Sequence, residues 1–231
     1  MATQAFFDIA NVFLDPAPTF ARLKVNTNAW LPLLVSILLS LGIMVWWVNT
    51  LDFHWLREHM LATQPTAEPE VREAITNALT PKLMMWSSGI TSVVGNLLLF
   101  AVTAIYYLLS GKVIGASISY GKWFGFSVWT SIPRLLVVPL SILQILTSHG
   151  QLAPEDLNMV SLNYLLFHLP TSNSWAGLAG NIDLTTFWSM VLGTIGLKAW
   201  TGRSTAICVT VAVLPYVIIY VLWVAKIVFL G

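Results

Sequence analysis

Arg134 is the residue in this chain whose type and position most invite chemistry. It follows Pro133 in an apolar stretch and lies 11 residues past Trp123, or roughly 16 Å along a straight helix. That depth is near the centre of a bilayer, where a lone charge is costly and faces a partner or water. No acid lies equally deep; Asp183 stands only at the edge of an apolar stretch. Candidate partners are Asn96, Gln144, carbonyls freed at Pro133 or Pro215, and a lipid phosphate. Two readings stay open: a substrate, lipid or partner contact formed by Arg134, Pro133, Pro215 and Asn96, or an arginine that snorkels to the headgroups.

The other chemistry-bearing residues assemble poorly on paper. The histidines are His54, His59, His149 and His168. His54 with Glu58, or Glu58 with His59, would make a weak metal pair, but no HExxH spacing occurs and two loops would have to converge to complete a site. Solvated or headgroup-facing histidines are the simpler expectation. Asp156, His168 and Ser161 contain the groups of a hydrolytic set, yet no G-x-S-x-G elbow accompanies them. Neither a Walker motif nor G-x-G-x-x-G is present. Cys208 is the only cysteine, so no disulfide forms within the chain. The expectation is a non-catalytic protein without metal or cofactor. The net charge of +1 gives no hint of a nucleic-acid partner.

The elements that must carry these residues follow from composition. Of 231 residues, 57% are hydrophobic and only 9% are charged, against about 25% charged in soluble domains. The apolar residues come in blocks long enough to cross a core of roughly 30 Å as helix. The class is an all-α, polytopic membrane protein. Five transmembrane helices are expected, at about 29–51, 83–110, 123–146, 182–199 and 206–230. Residues 1–28 form a cytoplasmic segment whose start, 3–14, is a short amphipathic helix lying in the interface. Asp15-Pro16-Ala-Pro18 ends it. Residues 29–231 form a single membrane domain with two large loops, 52–82 and 147–181. Thr66 to Arg72 looks like a helix start. The 157–169 segment is too short to span and reads as an interfacial or re-entrant helix ended at Pro170. No signal peptide precedes the first span, which serves as the targeting signal.

Charge sets the expected orientation. Lys112, Lys122, Lys198 and Arg203, with Arg22 and Lys24, lie at one set of ends, against Asp8 and Asp15 as acids. The positive-inside rule puts these basic anchors and the N-terminus in the cytoplasm and the C-terminus outside. Trp46, Trp47, Trp86, Trp188 and Trp200 read as interface anchors. Gly89, Gly95, Gly193 and Gly196 permit close helix approach. A weak repeat relates the basic turn before Pro133 to the one before Pro215; as a duplication it predicts two similarly kinked helices side by side.

Four stretches carry a family resemblance. They are Asp15 to Phe20, Gly121 to Pro133, Asp183 to Lys198, and Ala206 to Tyr216. In order and spacing they resemble the Yip domain family (Ypt-interacting proteins), especially its short bacterial members. The resemblance implies a compact five-helix membrane domain. Its eukaryotic members bind prenylated Rab GTPases in vesicle traffic at the Golgi and endoplasmic reticulum, usually with a long cytosolic N-terminal region. Residues 1–28 are all that precede the first span here, which favours a bacterial inner membrane over a Golgi or endoplasmic-reticulum one. The function expected is a scaffold or accessory subunit of a membrane complex, such as a transporter assembly, or a membrane-organising factor. Its partners are membrane lipids and other membrane subunits or further copies of itself. A small transporter or channel component built on Arg134 and the proline-bent helices is the second reading, and a Rab-linked traffic factor the third.

Overall fold

A computed structural model of the chain describes residues 2–64 and 68–230. The described residues form helices joined by turns and loops, and the only extended pairing among them is an isolated bridge between Ser161 and Asp183. Four helical stretches are long and apolar enough to cross a bilayer: Trp30–Thr50, Pro81–Val113, Tyr120–Thr147 and Thr205–Leu230. They match four of the five expected spans to within a few residues. The fifth, Leu184–Thr201, is 18 residues long but is not among them. Its Thr185, Thr186, Ser189, Gly193 and Gly196 are buried. These polar and small residues lower its apolar character below that of the other four.

The chain divides into two compact units, Met1–Leu38 with Gly95–Leu135 and Thr185–Trp223, and Leu39–Val94 with Leu136–Leu184 and Val224–Gly231. In the first, α1 (Ala2–Leu14) is followed by α2 (Pro16–Val25), which has proline at its first turn, where a missing N–H costs nothing. The expected break at Asp15 is therefore the joint between two helices. α1 packs into this unit. Its Val12 is fully buried, and its Asp8 is buried against Arg22, with Oδ1 2.8 Å from Nη2. A carboxylate is tolerated there because the guanidinium neutralises it.

An aromatic knot forms the heart of this unit. It joins Phe20, Tyr107, Trp123, Phe126 and Trp200 across α2, α7 (Asn96–Val113), α8 (Tyr120–Thr130) and α11 (Leu184–Thr201). Ring centroids lie 4.9 Å apart for Phe126–Trp200 and 5.5 Å for Trp123–Trp200. Tilted and edge-to-face pairs such as these add about 0.5–1.5 kcal/mol beyond burial. Trp200 is 2% exposed, and its indole N–H donates to the Phe20 carbonyl at 2.8 Å. Trp200 is thus a core residue and not an interface anchor. Trp47, 3% exposed, is corrected in the same way. Trp86 and Trp188 remain exposed.

The second unit contains the lower-hydropathy connections. α3 (Trp30–Thr50) runs into it and leads to α4 (Phe53–Ala62), whose cap Asp52 accepts from the His54 and Trp55 amides at 2.9 and 3.1 Å. α5 (Pro69–Ala78) begins beside the expected helix start, of which Thr66 and Ala67 lie outside the described residues. α6 (Pro81–Ile90) joins α7 through a π-helical turn, Thr91–Gly95. α9 (Val137–Thr147) completes the helix broken after α8. The expected 157–169 helix is reduced to one π-helical turn, Asn163–Phe167. His168 stops it with φ 52, held by its amide donating to the Asn163 carbonyl at 2.7 Å. α10 (Ala176–Asn181) precedes α11, and α12 (Thr205–Leu230) ends the chain.

Gly196 is the tightest joint in the aromatic knot. A Cβ there would lie 2.6 Å from Phe126 Cε2 and 2.9 Å from Phe20 Cδ1. Gly196→Val is expected to lower stability by roughly 1–3 kcal/mol through overpacking, read as a lower unfolding midpoint in detergent. Gly42→Ala, which meets no heavy atom within 4 Å, serves as the control and should leave the midpoint unchanged or slightly raised.

Candidate functional site

Arg134 stands on the 3-10 turn Ile132–Leu136 that separates α8 from α9. The break has local causes. Pro133 has no N–H to give and crowds the preceding turn. Ser127, Thr130 and Ser131 each turn their hydroxyls back onto carbonyls three residues earlier, at 2.8, 3.1 and 2.8 Å, a pattern that bends helices. Arg134 is exposed, while Pro133 is buried. The arginine lines a cleft of about 60 Å³ with Ser131, Pro215 and Tyr216. Arg134 and Pro215 therefore do meet at one place. Asn96 is not part of the cleft lining. Gln144 is engaged elsewhere, its amide donating to the Asp156 carbonyl at 2.6 Å. The two prolines also differ in setting: Pro133 lies in a 3-10 turn, whereas α12 continues through Pro215.

The basic residues gather at the turns of the first unit. Lys122 Nζ donates to the Lys24 carbonyl at 2.7 Å, and Lys198 Nζ to Thr205 Oγ1 at 2.8 Å. Arg203 packs over Gly115, whose φ is +78 and whose Cβ, if present, would meet Nη2 at 2.6 Å. Lys112 is exposed on the same turn.

The larger site lies in the second unit, where the two big loops meet. Two ties hold them to each other, and a third holds the second loop to the end of α3. The Asp52 amide donates to the Gly150 carbonyl at 2.9 Å. The buried Trp47 indole donates to the Leu152 carbonyl at 3.1 Å. His59 Nε2 lies 3.0 Å from Glu155 Oε1. Gly150 is required at its position: its φ is +84, and a Cβ would lie 2.7 Å from the Thr50 carbonyl oxygen. Below them the loop is closed onto the start of α11. Leu162 donates to the Ile182 carbonyl, Leu184 to the Val160 carbonyl, and Asn158 to the Asp183 carboxylate, at 2.8, 3.2 and 2.9 Å.

Beside these ties lies an open cavity of about 530 Å³ whose wall includes His59, Gln144, Glu155, Asp156 and His168. The Glu155 side chain is 10% exposed. Its Oε1 meets His59, whereas Oε2 is buried without a partner. Gln144 Oε1 is also buried without one. Burial holds the Asp156 carboxyl above the usual carboxylate range; the Glu155 charge adds to this, and His59 and His168 oppose it. The convergence of the two loops was the condition the sequence left unmet for His59. The partner it finds is Glu155, 96 residues away, and no local spacing could signal that. Among the described residues no group of three His, Cys, Asp or Glu is placed to hold a metal ion. Ser161 is fully buried, and its hydroxyl accepts from the Tyr164 amide at 3.1 Å. It does not line the cavity with Asp156 and His168, so the hydrolytic set does not assemble.

Long apolar helices and polar loops folded together at their ends define a polytopic helical membrane protein. The chain belongs to the Yip1 domain family, whose pattern matches residues 10–226. It is similar to membrane protein YknW of Bacillus subtilis (strain 168), with 24% identity over 195 residues that cover 84% of this chain and 78% of the relative. No solved structure gives a significant match.

The Asp156 shift carries a sign that can be measured. An acid whose folded-state pKa is raised contributes stability below its ordinary pKa and loses it as pH rises through the raised value. Asp156→Asn removes the loss. The variant should unfold at a higher temperature than the parent at neutral pH, with the difference shrinking in acid. A difference independent of pH would contradict this account.

Proposed function

We propose that this protein is a non-catalytic accessory subunit of a membrane protein complex, docking to a partner through helix-helix contact. The observation that carries the reading is an apolar groove of about 830 Å³ along α6 and the π-helical turn, lined by Leu41, Met85, Trp86, Gly89 and Val93 among others. Single π-turns are frequent at functional sites, and small residues such as Gly89 let a second helix approach closely. The groove's occupant in this reading is a transmembrane helix of a partner such as a transporter subunit.

The alternative of a carrier built on Arg134 is less well supported. The cleft at Arg134 has space for about two waters at roughly 30 Å³ each, whereas sites for small molecules occupy about 300–1,000 Å³. The accessory reading gives Arg134 a smaller part, an exposed cation beside Ser131 and Tyr216 suited to a lipid phosphate. The further parts of the proposal are α11 as a fifth span, the N-terminus in the cytoplasm and a bacterial inner membrane. The clustering of Lys112, Lys122, Lys198 and Arg203 supports that orientation, and the Bacillus relative supports the bacterial setting.

Gly89 offers a clean test, because the nearest atom to an added Cβ is Leu41 Cδ2 at 4.0 Å. Purification in mild detergent followed by mass spectrometry should recover the chain with a stoichiometric membrane partner. Gly89→Trp should fill the groove and release that partner while leaving the unfolding midpoint in place. Recovery of the parent chain alone would contradict the accessory role.

A further inference from the structure

We propose that Arg134 and the cleft beside it hold the phosphate of an anionic phospholipid, which enters sideways from the bilayer. The inference deepens the reading of Arg134 as a cation suited to a lipid phosphate and rests on its span lying in the membrane. It does not need the accessory partner.

Arg134 stands midway along the apolar stretch Tyr120–Thr147, roughly 20 Å of helix from either end. It is exposed, and its guanidinium makes no ion pair or hydrogen bond with a described residue. A cation at that depth without a partner is costly. No acid lines the cleft to supply one. The counter-charge must therefore come from outside the chain.

The shape of the cleft narrows the source. At about 60 Å³ it admits a small polar group and not a whole molecule. Leu99 and Ile219 belong to its lining and are 38% and 49% exposed. The mouth therefore opens between apolar side chains of α7 and α12, onto hydrocarbon. A soluble anion has no wet route to such a mouth. A phospholipid brings its anion on a body that is already apolar.

The lining then selects the chemistry. Ser127, Thr130 and Ser131 spend their hydroxyl protons on carbonyls of α8, and Ser189 donates to the Thr185 carbonyl at 2.8 Å. Thr103 and Tyr107 keep theirs: neither hydroxyl bonds a described residue, and neither is sealed in. With the five N–H donors of the guanidinium, they form a donor set that suits an anion with several acceptor oxygens. Phosphate meets the planar fork of arginine in two parallel bonds. A carboxylate on a partner helix would also fit, but acids inside spans are rare, whereas phospholipid surrounds every span. Because no acid lines the cleft, the ammonium of a zwitterionic headgroup finds no partner there. A headgroup of net negative charge is preferred. Its phosphate lies below the usual headgroup plane, so the bilayer thins around Arg134.

The test places the full chain in nanodiscs of equimolar phosphatidylglycerol, phosphatidylethanolamine and phosphatidylcholine, then releases it into mild detergent for native mass spectrometry. Phosphatidylglycerol should be retained several-fold over the two zwitterionic lipids. Arg134→Gln should lower that retention about tenfold, the worth of a charge-assisted bond. It should also leave the unfolding midpoint in lipid-free detergent in place, since the guanidinium has no partner among the described residues. Tyr107→Phe keeps the ring in the aromatic knot and should lower retention by a smaller factor. If Arg134→Gln fails to fold, Arg134→Lys, which keeps the charge without the fork, should still lower retention several-fold. Inorganic phosphate is the second probe and should not displace the lipid. The chain is used alone, so a missing protein partner counts against the accessory reading and not against this one. Retention without headgroup preference, retention unchanged in Arg134→Gln, or displacement by inorganic phosphate would overturn the proposal. So would a membrane protein that Arg134→Gln releases while lipid retention stays the same.

Discussion

Three buried tryptophans bind distant carbonyls, and much of the structure hangs on them. The indole N–H of Trp200 reaches Phe20, that of Trp129 reaches Asn28, and that of Trp47 reaches Leu152, each across more than a hundred residues of chain. In a protein this poor in charge, apolar burial alone does not choose among helix arrangements, because lipid is as apolar as the core. A single donor on a large rigid ring does choose, since leaving it unmet in a dry interior is costly. Trp200 and Trp129 fix α2 and the chain before α3 within the first unit. Trp47 fixes the second large loop to the end of α3 within the second unit. The aromatic knot then gains its edge-to-face contacts as a consequence of that placement, and Gly196 supplies the space they need.

The same logic shapes the loops. The segment 148–183 between α9 and α11 holds only short helical pieces, yet hydrogen bonds order much of it. Asn163 is the clearest case: its side chain bonds both the carbonyl and the amide of Leu169, at 3.0 and 2.9 Å, and so closes the π-turn on itself. Apolar residues in Leu157 to Leu169 suggested a helix at the membrane surface. The turn chemistry of Asn158, Ser161 and Asn163 prevailed, because their side chains offer the backbone partners that compete with a helix. The result is a shaped cavity with a buried carboxylate, and not a passive connection.

The long spans were legible in the sequence because length and apolar character are local properties. Trp30–Thr50 and Thr205–Leu230 fall within a few residues of expectation. The 3-10 break at Ile132–Leu136 was not expected within the 123–146 span, although Pro133 and the serines before it supply its local cause. The tryptophans were not legible: Trp47 and Trp200 read as interface anchors from their place near span ends, and only tertiary packing distinguishes a ring facing headgroups from one facing Phe126. Arg134 and Pro215, grouped from the sequence, line one small cleft. The site formed by His59, Gln144, Glu155 and Asp156 was out of reach, since its members come from three segments with no common motif. Gln144, suggested as a partner for Arg134, serves that site instead.

The two large loops fold as one body around the Glu155 carboxylate. Hydrogen exchange of the full chain in nanodiscs measures it directly, through three amides bonded in different parts of the loops: Asp52 to Gly150, Leu162 to Ile182, and His168 to Asn163. The account predicts that all three are protected and exchange at one common slow rate, set by a single opening. Exchange of Leu162 and His168 at the rate of free peptide, with Asp52 alone protected, would contradict it.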